Sequence, residues 1–440
     1  MAKKQKKEIY KKVDRIEVYL WNKFVGALAL DPKLGFYVFA YNPSFAKAGI
    51  EVSPLQMPLR DNEEPYVFTD LPEATYKRLP AMLADSLPDD FGNALIDRYM
   101  ADKGIFKNQI TALDRLAYMG KRAMGALEFK PTRGPRTQKP TALEMNELVT
   151  EARKMVEGSF EDDDHAGVAL RNIIEVGTSA GGARAKAVVA RHPKTKEIRS
   201  GQVSNLDGFE HWLLKFDGMG RDRELGSTQD YGRIEYAYYR MAKAAGIRIM
   251  QSELFQENGR AHFLTKRFDR DAGNIKHHMQ SLCAMNHLDY KKKSTNSYEQ
   301  LFMTMRELNL GHDADVEVFR RMVFNIMGKN CDDHTKNFSF LLKQGGVWEL
   351  SPAYDITFAH NPKGEWTSQH LMSVNGKYKG FTLNDLMKVA DRFGIGEAKI
   401  IIAQVRDAIQ RWPEFAKKAE VKKAEINRIS DIILNGDTAL

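Results

Sequence analysis

Residues 331 to 340 read CDDHTKNFSF: two adjacent carboxylates, a histidine, a lysine and an asparagine between a helical pattern and an apolar strand. Polar groups at that density can be a solvated turn, a metal site or the loop of a catalyst. Asp332 and Asn337 stand five positions apart. Phosphoryl-transfer enzymes use that spacing to place a proton-accepting aspartate and a magnesium-holding asparagine on one tight loop. The spacing recurs by chance in any long chain, so its weight comes from what surrounds it. FSFLL, a QGG turn and VWEL are followed by Asp355, 18 residues after Asn337, where a second metal-binding carboxylate is needed. No Phe-Gly follows Asp355, so the match is one of role.

Two further features fit the same chemistry. Lys215 ends the apolar strand HWLLKF and suits a residue that pairs with α- and β-phosphates; Glu235, early in the next helical pattern, is its candidate ion-pair partner. GTSAGGARAK (177–186) is neither a Walker A motif nor G-x-G-x-x-G. Its small residues Ser179, Ala180, Gly181, Gly182 and Ala183 would still let backbone N–H groups approach phosphates, with Lys186 closing the stretch.

The elements that must position these residues follow from periodicity. RIEVYLWN (15–22), FVGALAL (24–30) and GFYVFAY (35–41) read as a β-meander, and 79–103 as a helix ending at Gly104. TRGPRTQKPT (132–141) marks a boundary, and 141–157 has a helical period. AVVARH (187–192) and HWLLKF (211–216) read as strands, then 231–247 as an amphipathic helix closed by Gly246. IRIMQSELF and HFLTKRFDR are two strands around ENGR, and beyond about residue 270 most long patterns are helical. This predicts an α+β, two-lobed, protein-kinase-like fold: a strand-containing N-terminal lobe with an extra N-terminal subdomain, and a mostly helical C-terminal lobe. The expected division is a basic tail (1–14), a subdomain (15–133), a phosphate-loop region (134–268) and a helical lobe (269–440).

Composition excludes several classes. A hydrophobic share of 43% with 28% charged residues is that of a globular protein. Two cysteines, Cys283 and Cys331, allow neither a disulfide framework nor a cysteine-based zinc site. No apolar run approaches the roughly 18 residues of a membrane span, and the lysine-rich N-terminus lacks the apolar segment of a signal peptide, so the expected location is the cytoplasm, away from the membrane. The net charge of +8, part of it in MAKKQKKEIYKK, permits a nucleic-acid contact without demonstrating one. HHMQSLCAMNH offers His277, His278, Cys283 and His287, but at spacings that fit no standard zinc site, and MQSLCAMN reads as helix.

Taken in order, SAGGARAK, WLLKF, EYAYYRMAKAAGI, LTKRFDR, MQSLCAMN, DDHTKNFSF and SPAYDI resemble the HipA family of serine/threonine kinase toxins from bacterial type II toxin–antitoxin pairs. The resemblance implies ATP and magnesium as cofactors, Asp332 as catalytic base, and Asn337 and Asp355 as magnesium ligands. It implies a phosphate loop of Gly181, Gly182, Ala183, Arg184, Ala185 and Lys186, with Lys215 on the ATP phosphates. Lys266, Arg267 and Phe268 would meet adenine, and Asp269 the ribose. His334, Lys336, Tyr354 and Asp355 complete the implied nucleotide site, His334 as an organiser of its loop. Ser179 matches the family's regulatory serine, modified by autophosphorylation. By the same resemblance the substrate is a translation component such as an aminoacyl-tRNA synthetase. The partner is a helix-turn-helix antitoxin of HipB type, with operator DNA reached through that complex. Departures from the family pattern are Lys266, Arg184, Ala185 and Asp333, the last leaving two candidate bases. A kinase-fold regulatory or nucleic-acid-binding protein without phosphoryl transfer, and a small-molecule kinase, are the alternatives.

Overall fold

The computed structural model describes residues 10–60, 64–88, 90–135, 185–201, 207–217, 230–257 and 259–435 of the 440-residue chain. The chain divides into two compact units: Met1–Ser53, Met57–His211 and Asp269–His278 in the first, Pro54–Gln56, Trp212–Phe268 and Met279–Leu440 in the second.

The first unit is built on the meander. β1 (Arg15–Leu20), β2 (Lys23–Asp31) and β3 (Phe36–Tyr41) pair antiparallel, flanked by β4 (Tyr66–Val67) and β5 (Leu127–Lys130) in the order β4-β3-β2-β1-β5. Alternation along β1 buries Ile16, Val18 and Leu20 completely. Trp21 and Asn22, both at positive φ, form the two-residue turn whose twist suits adjoining strands. The helix expected over 79–103 is broken. A short turn at Ala81–Ala84 is separated from α1 (Asp90–Ala101) by Pro88, which has no N–H to continue the ladder. α2 (Ala112–Met119) starts at a Thr111–Asp114 capping box, and buried Asp114 also accepts from the Val13 N–H and the Tyr10 hydroxyl. β6 (Lys186–Arg191) and β7 (Ile198–Ser200) form an antiparallel hairpin around the turn at 193–197.

The second unit carries β8 (Glu210–Lys215), β9 (Ser252–Glu257) and β10 (Arg260–Lys266), with β10 between the other two. α3 (Tyr231–Ala244) lies on these strands and also on the helical segment. Its Tyr238 is fully buried, its ring 5.3 Å from that of Trp412, and its hydroxyl donates to the Gly328 carbonyl at 2.7 Å. The strand β11 (His278–Ser281) joins β12 (Ser339–Leu342) and β13 (Trp348–Leu350) in a small sheet. The helices are α4 (Tyr298–Glu307), α5 (His312–Met327), α6 (Leu383–Phe393), α7 (Ala398–Gln410), α8 (Trp412–Lys418) and α9 (Lys423–Ile433).

Two sequence expectations change here. The units change over at Phe268/Asp269, as expected, but also at His211/Trp212 and not at 133/134, because α3 binds its strands to α7 and α8 through an aromatic core. MQSLCAMN is half strand and half helix: Ser281 ends β11 and caps the turn Leu282–Met285 by accepting from the Ala284 N–H.

Candidate functional site

Lys215 occupies the last position of β8, paired with Phe263 of β10, and is 8% exposed. Its ammonium lies 2.5 Å from Oε1 of Glu235, itself 2% exposed, and forms a second ion pair with Asp355. Glu235 reaches it because α3 sits unusually close to β10. A Cβ on Gly232 would stand 2.0 Å from the Ala261 carbonyl oxygen, so only glycine permits the approach. Burial works against the charge on Lys215, but the two carboxylates outweigh it and raise its pKa. The structure therefore brings the lysine, its helix partner and the post-hairpin aspartate together.

Asp355 adopts a left-handed backbone, φ 52°, a conformation that asparagine and aspartate tolerate best among residues with a Cβ. It lines a pocket with Asn330, Asp333, Asn337, Phe338 and Tyr354. Asn337 ends the short 3-10 turn Thr335–Asn337, and its amide donates to the Asp332 carbonyl at 2.8 Å, closing the loop that carries Asp332. The Asp332 side chain is 50% exposed, with the His334 Nε2 at 3.8 Å.

Asp333 is a different residue in kind. It is buried and accepts from the Tyr298 hydroxyl at 2.9 Å, the His370 Nδ1 at 2.8 Å and the Leu371 N–H at 2.8 Å. Asn325 donates to the same Tyr298 hydroxyl. Burial disfavours a charged His370, yet Cys331 and Asp333 more than compensate and raise its pKa to about 10. Of the two adjacent carboxylates, one is an anchor locked into the core and the other faces outward. This separates the two candidate bases that the spacing had left open.

The remaining residues divide. Tyr354 donates to the Lys336 carbonyl at 2.6 Å and stands 5.4 Å, ring to ring, from Phe268. The Lys266 N–H donates to the Gln251 carbonyl, and Arg267 is buried. Asp269, expected at the ribose, is fully buried in the first unit. There it accepts the Gly125 N–H at 2.7 Å and pairs with Arg270 at 2.8 Å, so its carboxylate is committed to tethering the chain. Ala185 and Lys186 are buried at the start of β6. Ser179, Gly181, Gly182, Ala183 and Arg184 lie outside the described residues. His277 pairs with Asp271 and His278 with the Val52 carbonyl. Among the described residues no three His, Cys, Asp or Glu side chains gather to hold a metal.

Sequence reasoning missed Asn330. It is 2% exposed, its Oδ1 has no hydrogen-bond partner, and it lines the pocket that holds Asp355 and Asn337. Buried acceptors without donors are rare. Two amide oxygens and a carboxylate are the hard oxygen donors that suit magnesium. Lone asparagines carry no motif, but its place two residues before Asp332 was the available signal.

A strand lysine paired with a helix glutamate, an Asp-x-x-x-x-Asn loop, and an aspartate after a hairpin together define an α+β, protein-kinase-like fold. Residues 16–130 match the HipA N-terminal domain and 178–412 the HipA-like C-terminal domain, and the chain belongs to the HipA family. The HipA toxin of Shewanella oneidensis MR-1, solved with HipB and its operator DNA, shares the fold with a TM-score of 0.66 at 16% identity, over 96% of this chain and 98% of that one. A putative kinase of Haemophilus influenzae is 26% identical over 205 residues, and putative kinase Y4mE of Sinorhizobium fredii 28% over 126. Those matches cover 40% and 27% of this chain, and only 60% and 30% of the relatives' own lengths. No helix among the described residues is long and apolar enough to cross a membrane.

Proposed function

We propose that this protein is an ATP- and magnesium-dependent serine/threonine protein kinase, the toxin of a toxin–antitoxin pair. The observation that supports this best is the convergence of Lys215, Glu235 and Asp355 in one ion-pair cluster, with Asn337 and Asp355 lining one pocket. Lys215 is the cation for the α- and β-phosphates, oriented by Glu235. Asp332, outward-facing and tied to its loop by Asn337, takes the proton of the acceptor hydroxyl. Asp355, Asn337 and Asn330 supply the oxygens for magnesium. Bound there, the ion would offset charge on the transferred phosphoryl group. Phe268, beside Tyr354, offers an apolar ring to adenine, next to Lys266 and Arg267.

Ser179 lies in the glycine-rich stretch that we assign to the ATP phosphates. Phosphorylation there adds about −1.5 to −2 charge, so autophosphorylation at Ser179 is expected to switch the enzyme off. Equal ATP affinity in modified and unmodified protein would refute that. A translation component such as an aminoacyl-tRNA synthetase as target, a HipB-type antitoxin and its operator DNA as partners rest on kinship alone.

Incubation with labelled ATP and magnesium tests the reading. Label on a protein acceptor, absent with Asp332→Ala, supports it; nucleic-acid binding without transfer, or label only on small molecules, overturns it. Phosphoproteomes of cells expressing wild type and Asp332→Ala would name the target.

A further inference from the structure

The Asn330 amide is turned so that its oxygen, and not its NH2, is left for the pocket. An amide has a donating and an accepting end of nearly equal shape, so its neighbours decide which way it lies. The backbone here is already fixed. The Asn330 N–H donates to the Asn325 carbonyl at 2.9 Å, and the Cys331 N–H to the Ala359 carbonyl at 2.9 Å. What remains to be set is the turn of the side chain.

A chain of buried side chains sets it, and each link has one permitted direction. Asp333, as a carboxylate, accepts from the Tyr298 hydroxyl at 2.9 Å. With its single proton committed there, the Tyr298 oxygen can only accept from its next neighbour, and the Asn325 Nδ2 donates to it at 2.9 Å. That turns the Asn325 Oδ1 toward Asn330, whose Nδ2 donates to it at 3.0 Å. The same Nδ2 lies 3.4 Å from the Asp355 carbonyl oxygen. The Asn330 Oδ1 is the end left over. Flipped, Asn330 would set its oxygen against two other oxygens. Tyr298, Asn325, Asn330 and Asp333 are all buried, so solvent does not soften such a mismatch.

We propose that Asp333, Tyr298 and Asn325 form a polarity relay that holds the Asn330 oxygen toward the pocket as a magnesium ligand, with Tyr298 as a positioning residue that acts through Asn325. The inference rests on the kinase reading and accounts for how one donor of that site is oriented.

Manganese(II), standing in for magnesium, is titrated into the full-length protein with a non-hydrolysable ATP analogue, below the melting transition. Free ion is followed by electron paramagnetic resonance. Transfer of labelled phosphate from ATP to protein is measured in parallel. Tyr298→Phe keeps the ring, whose centroid lies 5.7 Å from that of Phe338, but removes the hydroxyl, so Asn325 and then Asn330 can turn. Manganese should bind this variant about 10-fold more weakly, while the analogue alone, in EDTA, binds as it does to wild type. Asn325→Ala breaks the next link and should show a similar loss, so the test does not hang on the stability of one variant. In an Asn330→Ala background Tyr298→Phe should have no further effect. Wild-type manganese affinity in Tyr298→Phe or in Asn325→Ala overturns the proposal, and so does the same loss with and without Asn330. Phosphate transfer by the wild type would show that the kinase reading stands regardless. Wild-type protein that neither binds manganese with the analogue nor transfers phosphate would remove the kinase reading and this inference with it.

Discussion

Replacing each of the two adjacent aspartates in turn separates chemistry from stability. Asp333→Ala removes a buried acceptor of three hydrogen bonds and the counter-charge of His370. Breaking a buried ion pair from one side costs about 3–5 kcal/mol, because the remaining charge stays buried without a partner. With about 2–4 °C per kcal/mol for a unit of some 200 residues, the melting transition should fall by roughly 6–20 °C. Asp333→Asn keeps the shape and one acceptor, so it should recover part of that loss. Asp332→Ala truncates a half-exposed side chain. It should leave the melting temperature within about 2 °C and lower phosphoryl transfer by about 10²–10⁴-fold. Calorimetry and transfer of labelled phosphate from ATP, run at a temperature where every variant is folded, are the two assays. Should Asp333→Ala melt like wild type and lose transfer while Asp332→Ala keeps it, the roles given to the pair are wrong.

Three further outcomes are expected. Lys215→Met leaves Glu235 and Asp355 without their shared cation, and should reduce ATP turnover at least 100-fold; Glu235→Gln keeps Lys215 on Asp355 and should lose less, both read from steady-state rates. Gly232→Ala forces α3 away from the Ala261 carbonyl, so a stability loss of about 1–3 kcal/mol in urea unfolding should accompany weaker ATP binding. His278 is pushed down to about 4 by burial, which the hydrogen bond to the Val52 carbonyl only partly offsets. Its unfolded form titrates near 6.5, so the unfolded chain binds one proton more between those values, and stability declines as pH falls from 6.5 to 4 by about 1.4 kcal/mol per unit. His278→Gln should flatten that slope of melting temperature against pH.

What was legible in the sequence shared one property: the signal was local. β1 to β3 were visible because alternation and turn residues act within a few positions. Lys215 and Asp355 were visible because each ends or follows a recognisable strand, and Asp332 and Asn337 because they stand five apart just before one. Asp333 was not, since its partners Tyr298 and His370 lie 35 and 37 residues away, and a carboxylate in a polar run looks the same buried or exposed. Asp269 misled for a similar reason. It follows β10 as a sugar ligand would, while the group that claims it, the Gly125 N–H, is 144 residues upstream. The division at His211/Trp212 was hidden because it cuts through β8, where no composition shift marks it.

The ion-pair cluster carries a consequence for how the site fills. One ammonium serves two carboxylates, so the trio of Lys215, Glu235 and Asp355 holds a net charge of −1. Lys215 thus acts as a resident counter-ion, keeping Asp355 from standing as a bare anion beside buried Asn330. On the proposed reading Asp355 would be the group that holds the metal, and Lys215, kept in place by Glu235, would be the group left to meet the phosphates. Each carboxylate would then keep a cation beside it, Glu235 the lysine and Asp355 the metal.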